Sequence, residues 1–426
     1  MPVREALDGC LSFNLPPIRN ITPESACDSL IRTDQCFTPA KRVESIVMKG
    51  RYYWLFLAAF TIGCQDSGTI TAPEESKLSV FDSLMTAFMS ENDIGAGALS
   101  IMKNGRVVYD KSFGWKDSAH TQILPQGAMM RLASVSKPIT AAAIMKLIES
   151  GKLDLTTRAF DLGQDLPGVL ELDPSPVLGD TLFKQITVEH LLQHRSGWDR
   201  EADKDWVFHE VEIATALGIT SPPGQAEMVS FLLGRSLQFT PDSQYVYSNV
   251  GYLVLGLIIE KISGQDYMDY VHQEVLSPIG IARNDVIQGR SFLLDRDFRE
   301  PWYDSGFKGV NVFDPTGPQV FFPDGGWNHE GAVSYMGLVA TSRAIVEFLD
   351  HYMVWGENIG MVRSNSYGTG WRYHTGSLPG TQALALQKDN GINYVTLFNK
   401  RPGGGDSYNR EIGQKIDEII GLGVLN

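Results

Sequence analysis

The chain has 426 residues, 43% of them hydrophobic and 20% charged, with 36 basic against 50 acidic side chains and a formal net charge of −14. That length fits one large elaborated domain or two ordinary ones, and the acidic balance weighs against a polyanionic partner such as nucleic acid. The 42 glycines and 21 prolines show no period, which excludes a collagen-like chain, and no repeat of about 20 to 50 residues marks a solenoid or propeller.

All four cysteines (Cys10, Cys27, Cys36 and Cys64) lie near the N-terminus. The rest of the chain therefore has no disulfide, no thiolate nucleophile and no cysteine-held metal. From Met48 the chain runs through basic Lys49 and Arg51 into an apolar stretch, Tyr52 to Ile62. A bilayer core needs about 20 helical residues, so this stretch is too short to span and suits the hydrophobic region of an export signal. It ends at Gly63-Cys64, followed by polar residues. The pattern resembles a bacterial lipoprotein signal, with cleavage before Cys64 and a lipid on its thiol, although Thr61 stands where leucine is usual. An ordinary signal peptide without lipid is the alternative. The resemblance implies export to a bacterial periplasm, with the membrane reached only by the lipid anchor. Residues 1–47 lack apolar periodicity and precede a complete signal, so they read as a non-native extension. Residues 48–63 then form the signal, 64–77 a flexible tether, and 78–420 the working domain.

Within that domain, Val80, Leu84 and Phe88 recur at helical spacing. Two alternating runs follow, GALSIM and RVVYDKSFG, joined through Asn104-Gly105, the strongest short hairpin signal. A second pair, QALALQK and INYVTLFN, is joined through Asn390-Gly391 near the C-terminus. The chain closes on an amphipathic helix with Ile412, Ile416 and Ile419/Ile420 on one side. Helix, hairpin, long middle, hairpin, helix predicts an α+β fold whose antiparallel sheet is assembled from both chain ends. The middle, about residues 134 to 360, reads as mostly helical and loop-rich. Residues 282–330 have little periodicity but many aromatics, including Trp302, Tyr303, Phe307, Phe313, Phe321, Phe322 and Trp327. They read as the wall of a substrate cleft or as a packed insertion.

The chemistry concentrates at RLASVSKPITAAAIMKLIESG, residues 131–151. The Ala/Ile/Met/Leu run is a helix that Gly151 terminates. Ser134 and Lys137 stand three apart at its start, on one face, where an amine can reach a hydroxyl. A serine hydroxyl is a poor nucleophile until a neighbouring base activates it, and a helix N-terminus favours the developing negative charge. Alone, S-x-x-K is common by chance, but two further boxes follow in order. Tyr247-Ser248-Asn249 lies just before a strongly apolar helix, and His374-Thr375-Gly376 precedes Ser377 and the C-terminal hairpin.

With SVSK, YSN and HTG in place, and with ITVEHLLQHRSGW and GKLDL between them, the chain resembles the serine penicillin-recognising family. That family comprises class C β-lactamases, D-alanyl-D-alanine carboxypeptidases, D-aminopeptidases and related esterases. The resemblance covers about residues 78 to 420. It implies a β-lactamase-like fold with the active site between the sheet and the helical region, and a serine hydrolase working through an acyl-enzyme. Ser134 would be the nucleophile, and Lys137 and Tyr247 the acid–base groups, with the first proton going to either. Asn249 would bind the acyl-side amide of the substrate, with His374, Thr375 and Gly376 lining the site. The backbone N–H groups of Ser134 and Ser377 would form the oxyanion hole. No cofactor and no metal is implied. The substrate would be a small-molecule ester, a D-peptide or a β-lactam, with HTG in place of KTG pointing to the D,D-carboxypeptidase-like branch. A carboxylesterase is the alternative, and an acylated sensor that does not turn over is another. His374, where the family often has lysine, predicts a charge that appears only as pH falls toward about 6. In SYMGLVATSRAIVEF, Met336 replaces a glycine and Ala344 an aspartate, which bears on a helix cap and not on the chemistry.

Two competing signals carry less. His190 and His194 sit at i, i+4, a possible metal pair, but without a third ligand. Gly405-Asp406-Ser407 lacks a partner histidine, and no G-x-S-x-G marks an α/β-hydrolase.

Overall fold

Asn104 and Gly105 hold φ of 52° and 74°, the positive-φ turn whose twist matches that of the strands it joins. Those strands are β1 (Ala96–Lys103) and β2 (Arg106–Gly114). The computed structural model describes residues 72–163, 167–173, 176–364, 370–401 and 407–426. Residues 1–71, which hold the four cysteines, the expected signal and Cys64, lie outside the described residues, as do Gly405 and Asp406.

In chain order, α1 (Ala72–Glu91) precedes β1, and β3 (Met129–Arg131) leads through a 3-10 turn at Ala133–Val135 into α2 (Ser136–Glu149). The middle holds α3 (Asn249–Ser263) among shorter helices, then β4 (Leu338–Thr341) running into α4 (Ser342–His351). The chain ends with β5 (Trp371–Leu378), β6 (Thr381–Lys388), β7 (Ile392–Phe398) and α5 (Ser407–Gly421). The sheet order is β5-β6-β7-β1-β2, and every pairing is antiparallel, with Leu99 opposite Thr396 at the seam. The two chain ends thus build one sheet, as the paired hairpins predict.

Both faces of that sheet are covered. Leu99, Ile101, Leu384, Leu386, Tyr394 and Phe398 pack under α1 and α5, where Phe81, Met85, Phe88, Ile412 and Ile416 are buried. Each such side chain contributes roughly 1.5–3 kcal/mol. On the opposite face Ala96, Ala98, Ala383 and Ala385 join the core of the helical region. Their small size lets α4 lie close to β1, with Ser100 Oγ 2.7 Å from Ser342 Oγ. Alanine on one face and large residues on the other leave β1, β6 and β7 buried on both sides.

Three expectations shift. The buried stripe of α1 is Phe81, Met85 and Phe88, whereas Val80 and Leu84 are only partly buried at its edge. The helix begins at Ala72, inside the segment read as tether. The body also continues past residue 420, because Val424 and Leu425 pack under the sheet and Lys103 Nζ donates to the Leu425 carbonyl at 2.7 Å. The aromatic segment 282–330 is mainly short turns. Trp327 and Tyr303 are buried in the core, while Phe322 reaches a cleft described below. The helix cap that Ala344 cannot supply comes from Thr341, whose hydroxyl accepts from the Ala344 N–H at 3.1 Å. Among the described residues no helix is long and apolar enough to cross a membrane.

Candidate active site

From Ala128 to Met145 every residue is buried except Ser134. Ala133 produces that opening. Its φ of +48° is a left-handed conformation that costs an alanine about 1 kcal/mol or more. The turn swings the chain from β3 into α2 and leaves the Ser134 hydroxyl at the surface of a cleft.

Lys137 lies one turn on, fully buried. Its Nζ is 2.7 Å from Asn249 Oδ1, 2.8 Å from the Tyr335 carbonyl oxygen and 3.3 Å from Ser134 Oγ. Burial holds its pKa well below the ordinary lysine value. The negative charge of Asp205 opposes that shift, and Arg200 reinforces it.

The Tyr247 hydroxyl shares a hydrogen bond with Ser134, and burial raises its pKa above the ordinary phenol value. Its ring is fixed from three sides. The His194 ring lies 4.5 Å away, the Lys137 amine sits 4.9 Å from the ring centre, and the Arg200 guanidinium sits 5.1 Å from it. His194 itself holds φ of +56°, and its Nδ1 accepts from the Ser248 N–H at 3.2 Å. Ser248 in turn caps α3 by accepting from Gly251 N–H. The HLLQH segment therefore positions the tyrosine. His190 has a separate job, closing a capping box with Thr187. Among the described residues no cluster of three His, Cys, Asp or Glu could hold a metal.

Asn249 links Lys137 to an acidic group. Both ends of its carboxamide are engaged within the protein, Oδ1 with Lys137 and Nδ2 donating to Asp205 Oδ2 at 2.7 Å. Asp205 is the residue that sequence reasoning missed. It lies in a charged stretch, DREADKDW, that reads as a solvated loop, and nothing in its spacing marks it. In the fold its carboxyl is desolvated, which raises its pKa against the opposing effects of Asn249, Arg200 and Lys137. Arg200 Nη1 lies 3.8 Å away.

His374, Thr375 and Gly376 occupy β5, at the edge of the sheet. Gly376 is required by close approach: a Cβ there would meet the Leu132 carbonyl oxygen at 2.0 Å and Ala133 Cβ at 3.1 Å. Its absence lets β5 lie against the turn that carries Ser134, so that Ser134 and Ser377 face the same cleft. His374 is not the pH-dependent cation its position predicts. It is buried, its Nδ1 lies 2.9 Å from the Thr375 carbonyl oxygen, and burial with the nearby Lys137 lowers its pKa to about 3. Desolvation and the neighbouring amine outweigh the Thr375 carbonyl, which alone favours the charged imidazole.

The cleft has two halves that share Ser134, Arg200 and Ser377. One, about 350 Å³, runs past Tyr247, His374, Thr375 and Trp355. The other, about 300 Å³, runs past Asn249, Phe208, Phe322, Met336 and Leu378 to Arg401.

Residues 81–416 match the family model described as Beta-lactamase. The chain is 29% identical over 199 residues to penicillin-binding protein 4* of Bacillus subtilis, covering 46% of this chain and 38% of that protein. It is 28% identical over 261 residues to esterase EstB of Burkholderia gladioli, covering 60% of each. It thus spans between about a third and two thirds of the length of these relatives. Among solved structures, D-amino acid amidase from Ochrobactrum anthropi SV3 superposes with a TM-score of 0.58 at 19% identity, over 80% of this chain and 99% of that one.

Proposed function

Because the chain belongs to the beta-lactamase family, we propose that it is a serine hydrolase that cleaves carboxylic esters or D-peptide-like amides through an acyl-enzyme on Ser134. The observation that carries this reading is the setting of Lys137. A neutral amine has two N–H bonds and one lone pair. Lys137 Nζ donates to Asn249 Oδ1, the Tyr335 carbonyl and Ser134 Oγ, so once it gives up one proton its lone pair stands within reach of the Ser134 hydroxyl. Burial lowers the amine's pKa and so favours that neutral form.

Lys137 is therefore the first base. Ser134 Oγ bonds to the substrate carbonyl carbon and its proton passes to Lys137. The backbone N–H groups of Ser134 and Ser377 hold the oxyanion. Tyr247, whose raised pKa keeps it protonated, gives its proton to the departing oxygen or nitrogen. Lys137, which holds the serine's proton, returns it to Tyr247, and both groups recover their starting forms. Water then repeats the sequence on the acyl-enzyme and releases the acid. Thr375 and His374 line the leaving-group half. With His374 uncharged and Arg200 already beside Asp205 and Glu201, that half suits an uncharged leaving group better than a free carboxylate.

Ser134→Ala should abolish both ester turnover and labelling by a fluorophosphonate, and labelling retained at full stoichiometry would refute the assignment. Lys137→Ala and Tyr247→Phe should each slow acylation by roughly 10² to 10⁴. Side-by-side assays of p-nitrophenyl esters, a D-Ala-D-Ala peptide and nitrocefin rank the substrate classes. We further propose that the protein is exported and held at the membrane surface by a lipid on Cys64. Cys64→Ser in a chain expressed from Met48 should release it from the membrane fraction, and a cytosolic product retaining Met1 would exclude this.

A further inference from the structure

Two arginines line the cleft, Arg200 and Arg401, and Arg200 and the neighbouring Lys400 are already paired. Arg200 Nε lies 3.3 Å from Glu201, with Asp205 on the guanidinium's other side. Lys400 Nζ is 2.7 Å from Asp93 Oδ2 and 3.2 Å from Asp304 Oδ2. Arg401 follows β7 and lines the half of the cleft that also contains Asn249 and Ser377. Among the described residues no carboxylate acts on it; burial alone lowers its pKa. The same half-cleft is lined by the apolar side chains of Phe208, Phe322, Met336, Leu378 and Pro379, and by Arg200. A half-cleft that holds a nucleophile, a group of apolar side chains and an exposed guanidinium without a carboxylate partner among the described residues fits one kind of acyl group: an aliphatic chain with a terminal anion. Such a chain buries its methylenes against the aromatic and thioether walls and meets the guanidinium with its carboxylate, the pairing for which the planar fork is shaped.

Resting on the hydrolase reading above, we infer that Arg401 is a specificity-determining residue, and that the preferred substrates carry an anionic group on the acyl side, as in half-esters of aliphatic dicarboxylic acids. The charge preference of this site would thus lie on the acyl side, not the leaving-group side where His374 stands.

The test compares mono-p-nitrophenyl adipate with its ω-methyl ester, which has the same chain and leaving group without the charge. Wild type should favour the acid by about tenfold in kcat/KM, mainly through KM. The ratio should fall toward one in Arg401→Gln, be partly retained in Arg401→Lys, and shrink in wild type as ionic strength rises. A wild-type ratio near one, or a ratio that Arg401→Gln does not move, would overturn the inference while the methyl ester still reports hydrolysis. If wild type hydrolyses neither ester, the hydrolase reading fails and this inference fails with it.

Discussion

Replacing Gly376 by alanine tests whether the approach of β5 to the Ser134 turn positions the reacting groups. The added Cβ would sit 2.0 Å from the Leu132 carbonyl oxygen. A comfortable carbon–oxygen contact is on the order of 3.2 Å, so β5 must withdraw by about 1 Å. The obstacle is backbone, and the neighbouring residues from Ala128 to Ala133 are buried, so the turn itself cannot yield. As an edge strand paired only with β6, β5 can move without unfolding the sheet. The displacement would carry Ser377 N–H away from the oxyanion position. Misplacement of this size costs about 10² in rate, and loss of one oxyanion donor about 10² to 10³. Gly376→Ala should therefore lower kcat for a p-nitrophenyl ester by at least 10², with little change in KM and only a modest drop in Tm. The measurement is steady-state kinetics alongside calorimetry on the same preparation. A variant with kcat within twofold of wild type would refute the argument that β5 supplies an oxyanion donor, and a collapse of Tm with it would assign Gly376 to folding instead.

Three other outcomes follow from the site. Asp205 raises the pKa of Lys137, so Asp205→Asn should move the acidic limb of the kcat/KM profile to lower pH, where the amine now becomes neutral; an unmoved limb would make Asp205 purely structural. Because His374 titrates near 3, the relative rates for charged and neutral leaving groups should stay flat from about pH 5 to 8, and a step near 6.5 would show the imidazole to be exposed to charge. Thr341→Ala removes the cap of α4 and should cost about 1 kcal/mol in denaturant unfolding, while acylation of Ser134 proceeds at the wild-type rate.

Much of this protein was legible along the chain because the relevant signals are local. Asparagine–glycine turns demand positive φ, so Asn104-Gly105 and Asn390-Gly391 marked both hairpins without reference to anything distant. The helical spacing of Ser134 and Lys137 was likewise enough to bring amine and hydroxyl within reach, and the order of the three boxes identified the family and the fold. Tertiary structure decided what depends on desolvation and on contacts across the sequence. Whether His374 carries charge is set by its burial beside Lys137, so its ordinary pKa misled. Asp205 meets Lys137 only through Asn249, 44 residues further along the chain, and in sequence it is one charge among many. The α1 stripe moved by one residue because helical periodicity specifies a face only to within a fraction of a turn, and the packing of Phe81 and Met85 against the sheet selected the rest. Arg401 is an ordinary basic residue after a strand until the fold brings it into the same half-cleft as Ser134 and Ser377.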